Sequence, residues 1–194
     1  MVLILASKSQ RRKDLFQLIG LDFSVICSDA DENVDFTTPE EFVEKLSLRK
    51  AQAVKQGRSN CCVVGSDTIV WLDNKVIGKP KDEEDAFRIL KSLSGRTHTV
   101  YTGVAVLTDD STDVCHDTTK VTFEELSDED IRAYIASGEP MDKAGAYGIQ
   151  GPAAVFVKHV EGCYFTIIGM PMHKLHKMLL KVGICPNWQK ALRT

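Results

Sequence analysis

Val2-Leu-Ile-Leu5-Ala-Ser-Lys-Ser9-Gln-Arg11-Arg12-Lys-Asp-Leu15-Phe-Gln-Leu18-Ile19-Gly20 passes directly from an apolar run into helical spacing. Val2–Leu5 reads as a short buried strand. Leu15, Leu18 and Ile19 recur at helical intervals until Gly20 stops them, and Ser7 or Ser9 caps the helix between. A strand that turns straight into a helix is the repeating unit of α/β folds.

The alternation continues outward from there. Phe23–Ile26 reads as a second short strand, followed by the acidic turn Ser28-Asp-Ala-Asp-Glu32. Thr38-Pro39-Glu40-Glu41 is a capping box with proline at the first helical position, opening a helix through Phe42, Val43, Leu46, Ala53 and Val54. Cys62–Leu72 is rich in β-branched residues and predicts a strand, with Asp73-Asn74 turning it into a hairpin with Val76-Ile77. Asp82 then caps a helix carrying Ala86, Ile89, Leu90 and Leu93. Strands are predicted at Thr97–Leu107 and Thr118–Glu124, around the polar tip Thr108–Asp113. A helix capped by Ser127 and closed by Gly138 follows them. Further strands are predicted at Ala153–Val160 and Tyr164–Ile168, before a last helix that begins at Pro171 and ends at Gly183. Strands in succession mid-chain favour an α/β fold with a mixed, twisted sheet flanked by helices over a strict doubly wound one. Such a sheet can bend into two lobes with a deep cleft. One domain is expected over residues 1–185, with a short, partly mobile tail at 186–194.

With 194 residues, 43% hydrophobic and 26% charged, the chain has the composition of an ordinary globular protein with ample core. A net charge of −3 gives no global attraction to nucleic acid, so anion affinity must come from a local cluster such as Lys8, Arg11, Arg12 and Lys13. Cys27, Cys61, Cys62, Cys115, Cys163 and Cys185 have no framework spacing and form no CxxC pair. Met1-Val-Leu-Ile-Leu-Ala is too short for a secretory h-region and runs into charge. Reduced cysteines in a cytoplasmic protein, with no membrane span, are therefore expected.

Three stretches carry candidate chemistry. In Ser7-Lys-Ser9-Gln-Arg11-Arg12, cations crowd a helix start that the macrodipole makes unfavourable for them. A phosphate would repair that conflict through backbone N–H groups and guanidiniums; a simple cap with solvated arginines is the bland alternative. Asp67, in Gly65-Ser-Asp67-Thr68, lies within an apolar strand, where a carboxylate must be paired, hydrogen-bonded or bound to metal. With the acidic turn it can hold Mg²⁺ or Mn²⁺ and take a proton from water. Lys50 and Lys79, the latter in Gly78-Lys79-Pro80, stand at element ends and can reach a polyphosphate or simply face solvent. Asp142-Lys-Ala-Gly-Ala-Tyr-Gly-Ile-Gln150-Gly151 has neither period, and its glycines suit close approach to a packed neighbour or to a ligand. His173 and His176 read as helix-surface residues, and His98 and His116 as structural or exposed. No GxxxxGK[ST] motif occurs, which disfavours a P-loop ATPase.

Taken in order, these stretches resemble the Maf family, the septum-formation-protein homologues, which are nucleoside triphosphate pyrophosphatases. Leu5-Ala-Ser-Lys-Ser9-Gln-Arg11-Arg12 is similar to the family's LASxSPRR opening, with Gln10 in place of its usual proline. Ser28–Glu32, Lys50-Ala51, Gly65–Thr68, Gly78–Pro80, Leu93–His98 and Tyr101–Gly103 continue the pattern. Asp142–Gly151 matches its DKAGAYGIQG segment letter for letter.

The resemblance implies an elongated fold related to inosine-triphosphate pyrophosphatases, a homodimer, and cleavage between the α- and β-phosphates with a divalent cation. It implies Asp67 as proton acceptor and, with Glu32, as metal ligand. Ser9, Arg11, Arg12, Lys50 and Lys79 would grip the triphosphate, and Asp142 joins the substrate-binding set. The tyrosine-isoleucine-glutamine form of the glycine loop is similar to the dTTP/UTP type, with Arg12, Thr68 and Gln150 bearing on base choice. Asp is a weak base at neutral pH, so water acidified by the cation is the expected nucleophile source. Two alternatives stay open: a hydrolase of inosine triphosphate or 7-methyl-GTP, and a division regulator that binds nucleotide without turning it over.

Overall fold

The computed structural model describes residues 1–190. A seven-stranded mixed sheet forms the framework: β1 (Val2–Leu5), β2 (Ser24–Val25), β3 (Cys61–Leu72), β4 (Lys75–Ile77), β5 (Thr97–Leu107), β6 (Thr112–Phe123) and β7 (Val157–Gly162). The order is β2-β1-β3-β5-β6-β7, with β4 hairpinned onto β3. β1 runs parallel to both β2 and β3, with Leu3 opposite Cys62 and Leu5 opposite Val64. β4 and β7 pair antiparallel to β3 and β6. This is the α/β mixed sheet that the sequence predicts.

Helices α1 (Gln10–Leu18), α2 (Pro39–Lys55), α3 (Glu83–Leu93) and α4 (Asp128–Ala136) connect strands, and α5 (Tyr164–Ile168), α6 (Met172–Lys181) and α7 (Asn187–Lys190) follow β7. Three of the predicted caps, at α2, α3 and α4, form as their chemistry requires. Thr38 Oγ1 accepts from Glu41 N–H at 3.2 Å, Asp82 Oδ1 from Asp85 N–H at 2.7 Å, and Ser127 Oγ from Asp130 N–H at 3.0 Å. The β3–β4 turn takes φ of +51° at Asp73 and +59° at Asn74, as a two-residue hairpin of this hand demands.

The chain separates into two compact units, and β3, β5 and β6 each contribute residues to both. The first comprises Met1–Asp67, Thr102–Asp117 and the chain from Gly169 onward. Its core includes Ile4, Ala6, Ala51, Val54, Val63 and Ala105, all buried. The second comprises Thr68–Tyr101 and Thr118–Ile168, packed around Leu90, Val121, Phe123, Ile131, Tyr147 and Phe156. Phe123 and Tyr147 stack edge to face in that core, with ring centroids 4.8 Å apart.

Three expectations are corrected. Tyr164–Ile168, aromatic and β-branched, is the short helix α5 and not a strand. The β6–β7 ladder ends at the Thr119–Gly162 pair. There Thr119 Oγ1 donates to Cys163 O at 2.9 Å and accepts from Cys163 N–H at 3.0 Å, turning the chain out of the sheet. Tertiary contacts override β propensity here. Pro152–Phe156 is a 3-10 turn, so the strand begins only at Val157; proline has no N–H for a ladder. In the tail expected at 186–194, Asn187 N–H donates to Gly20 O at 2.8 Å and Trp188 Nε1 to Ile19 O at 3.1 Å, and residues 191–194 lie outside the described residues. β6 is also longer than predicted, starting at Thr112, because Asp113–Asp117 is too polar to show a strand's period.

Candidate active site

Gly65 and Asp67 are two residues apart in β3 and share one face of the strand. A Cβ on Gly65 would stand 2.2 Å from Ser47 O and 2.8 Å from Ala51 N, both in α2. A Cβ on Gly103 of β5 would stand 2.2 Å from Val43 O of the same helix. Two bare backbone positions therefore let α2 settle directly onto the sheet. Lys50, beside Ala51, is thereby brought against Asp67, and its Nζ donates to Asp67 Oδ1 at 2.6 Å.

The same ammonium lies 2.8 Å from Glu32 Oε1. The lysine and aspartate side chains are 15% and 13% exposed while the glutamate is 70% exposed, so one arm of the bridge is buried and the other faces solvent. The acidic turn that presents Glu32 is itself held by α2. Arg49 donates to Asp31 O at 3.0 Å and to Asn33 O at 2.6 Å, and Asn33 N–H donates to Asp31 Oδ1 at 3.0 Å.

Arg12 approaches from α1. Its Nε donates to Gly169 O at 2.8 Å and its Nη1 to Ser7 Oγ at 3.3 Å; Ser7 Oγ also accepts Ser9 N–H at 3.2 Å. Burial lowers the Arg12 guanidinium to about 10, against the opposing pull of Asp67; Arg11 lowers it further and Glu32 raises it. A desolvated guanidinium beside a second one, at a helix start with no acid in its first turn, is a strong attractor for an anion. Ser9 occupies the N-cap position but its side chain makes no capping bond; Ser7 organises the loop instead. Ser66, the residue before Asp67, is fully buried and its hydroxyl bridges Gly103 O at 2.8 Å and Gly169 O at 2.9 Å.

The first unit thus gathers Ser9, Arg11, Arg12, Glu32, Lys50 and Asp67 from one strand, two helices and two loops. Thr68, Lys79, Asp142 and Gln150 belong to the second unit. Thr68 follows Asp67 in β3 and is half-buried; Lys79, Asp142 and Gln150 are exposed, and Asp142 accepts from Lys143 Nζ at 2.8 Å. In the glycine loop, packing explains Gly145: its φ is +71° and a Cβ would stand 2.7 Å from Val70 Cγ2. Tyr147 is buried with its hydroxyl 2.8 Å from His98 Nε2, and burial pushes the phenol up and His98 down to about 4. His98 is a core residue, in agreement with its structural reading.

Sequence inspection does not find Arg49 or Gly169 as site-builders. Arg49 works through backbone carbonyls, and Gly169 contributes only a carbonyl, so neither leaves a side-chain pattern to detect.

A family model described as Maf-like protein matches residues 2–182. The chain belongs to the Maf family. Among curated relatives, a dTTP/UTP pyrophosphatase of Bacillus cereus is 45% identical over 183 residues, covering 94% of this chain and 96% of the relative. The dTTP/UTP pyrophosphatase of Bacillus anthracis is 44% identical over the same shares. Among solved structures, the Ham1 protein of Staphylococcus aureus aligns with a TM-score of 0.48 and 17% identity, over 63% of this chain and 72% of its own. The Maf match takes in every candidate site residue named above.

Proposed function

We propose that this protein is a nucleoside triphosphate pyrophosphatase that cleaves dTTP and UTP between the α- and β-phosphates, releasing the monophosphate and pyrophosphate. The observation that carries the reading is the convergence of Asp67 and Glu32 on one positive centre, with Arg12 beside them. The identity with dTTP/UTP pyrophosphatases supports the choice of substrate.

Phosphoanhydride hydrolysis asks for positioning and charge neutralisation more than covalent chemistry. Two carboxylates already gathered around a cationic nitrogen offer the all-oxygen donor set that a hard divalent cation takes, so these residues fit Mg²⁺ or Mn²⁺. Such a cation supplies neutralisation of the phosphate oxygens and acidifies water. Asp67 accepts the proton of the attacking water. Arg11, Arg12 and the start of α1 hold phosphate oxygens, joined by the Ser9 hydroxyl, which capping does not use. Lys50 adds its charge, and Lys79 is a further phosphate ligand. Thr68, Asp142 and Gln150 are assigned to the nucleoside, Gln150 through an amide that can pair with a pyrimidine edge. All six cysteines are free thiols, which supports a reducing, cytoplasmic setting. Among the described residues, no helix is long and apolar enough to cross a membrane. A homodimer is the assembly that the family resemblance implies.

The test is product formation with Mg²⁺ or Mn²⁺ from dTTP, UTP, CTP, inosine triphosphate and 7-methyl-GTP. Preferential dTMP and UMP with pyrophosphate supports the reading. Preference for inosine triphosphate or 7-methyl-GTP keeps the chemistry and overturns the base. Binding without turnover of any nucleotide overturns the enzyme.

A further inference from the structure

Lys50 does something that phosphate binding does not require: its ammonium occupies the point on which both carboxylates converge. Here the stem is enclosed by the fold and the head is shared by Asp67 at 2.6 Å and Glu32 at 2.8 Å. A carboxylate as enclosed as Asp67 is costly without a counter-charge, and that counter-charge is Lys50.

The carboxylates are already more than neutralised without any ligand. Asp67 and Glu32 contribute two negative charges; Lys50, with Arg11 and Arg12 from α1, contributes three positive ones. A divalent cation added alone would raise the cluster from one positive charge to three. A triphosphate added alone would meet two carboxylates. Each ligand relieves the charge that the other creates, which is the condition for positive coupling between them.

We propose that Lys50 is a built-in placeholder for the divalent cation, neutralising Glu32 and Asp67 until cation and nucleotide arrive together, then releasing both carboxylates and turning to a phosphate oxygen. This rests on the proposed assignment of Glu32 and Asp67 as cation ligands. The solvent-facing Glu32 arm releases first, because an exposed ion pair is weakly held while the enclosed Asp67 arm is not. The device keeps the carboxylates protected when no substrate is present and disfavours metal bound without nucleotide.

The test is Mn²⁺ binding to nucleotide-free protein, read from the electron paramagnetic resonance of free Mn²⁺. Removing a competing ammonium at contact distance should tighten binding by about tenfold or more in Lys50→Met, although turnover of dTTP falls. Adding Glu32→Gln to that variant should remove the gain. Equal or weaker Mn²⁺ binding by Lys50→Met than by the wild type overturns the placeholder. Should that variant not fold, acetylation kinetics of the wild type read by mass spectrometry decide the matter. Mg²⁺ raised until it fills the site without nucleotide must displace the ammonium, so it should raise the reactivity of Lys50 relative to the other lysines, and an unchanged ratio at full occupancy overturns the proposal. The two readings separate cleanly: turnover by the wild type with no gain in Lys50→Met removes the placeholder and leaves the pyrophosphatase. A wild type that hydrolyses no nucleoside triphosphate removes both.

Discussion

Gly65 gives up its side chain so that Ser47 of α2 can bring its carbonyl oxygen to within 2.2 Å of where a Cβ would stand. The contact is with backbone, so it cannot be relieved by rotating a side chain. Gly65→Ala is expected to push α2 off β3 and destabilise the protein by about 3 kcal/mol, at the upper end of overpacking costs. Because Lys50 rides on the same helix, the folded fraction should also lose activity. Chemical denaturation together with turnover per folded molecule checks this; wild-type stability would contradict the close packing.

Gly145 makes the corresponding approach in the second unit, but against a side chain. Gly145→Ala meets both a φ of +71° and Val70 Cγ2 at 2.7 Å, so a loss of about 1–3 kcal/mol is expected. Val70→Ala in the same molecule should recover the steric share and leave the backbone share. A double-mutant cycle reads the coupling, and strict additivity would count against the contact.

His98 sets a pH dependence of stability. Burial lowers it from 6.5 to about 4, so the folded protein holds it neutral where the unfolded chain protonates it. Its contribution is full above pH 6.5 and is lost as pH falls towards 4. The shift corresponds to about 3 kcal/mol over that window. His98→Gln cannot titrate, so the stability of the wild type relative to this variant should fall as pH drops from 7 to 4. A difference independent of pH would show that His98 does not titrate between the two states.

The sequence reveals most of what side-chain pattern encodes. Thr38, Asp82 and Ser127 announce helix starts by their own chemistry, and Asp73-Asn74 announces its turn. Asp67 stands out because a carboxylate in an apolar strand demands an explanation, and Lys50 supplies it. Hidden from the sequence are features made by backbone or by tertiary balance. Gly169 acts through a carbonyl, Arg49 holds the acidic turn by peptide oxygens, and Tyr164–Ile168 becomes helical because Thr119 captures Cys163. The glycine loop is legible as a special segment, and its structure answers the open question for Gly145 in favour of a packed neighbour.

Gln150 is exposed, and its amide is the proposed reader of the base. Gln150→Ala should compress the preference for dTTP and UTP over the other triphosphates by about tenfold, the value of one hydrogen bond, while slowing the best substrate less. Competition assays with mixed nucleotides measure the preference directly, and an unchanged ranking would count against Gln150.

The most direct test of the account concerns Asp67, which the fold places against Lys50 and the proposal makes the proton acceptor. Pyrophosphate release from dTTP should be compared between the wild type and Asp67→Asn at saturating Mg²⁺, with folding checked by circular dichroism. A loss of at least about 10²–10⁴-fold in a folded Asp67→Asn protein is predicted, the usual contribution of a positioned base. Near-normal release by that variant would contradict the assignment of Asp67 and, with it, the mechanism built on this site.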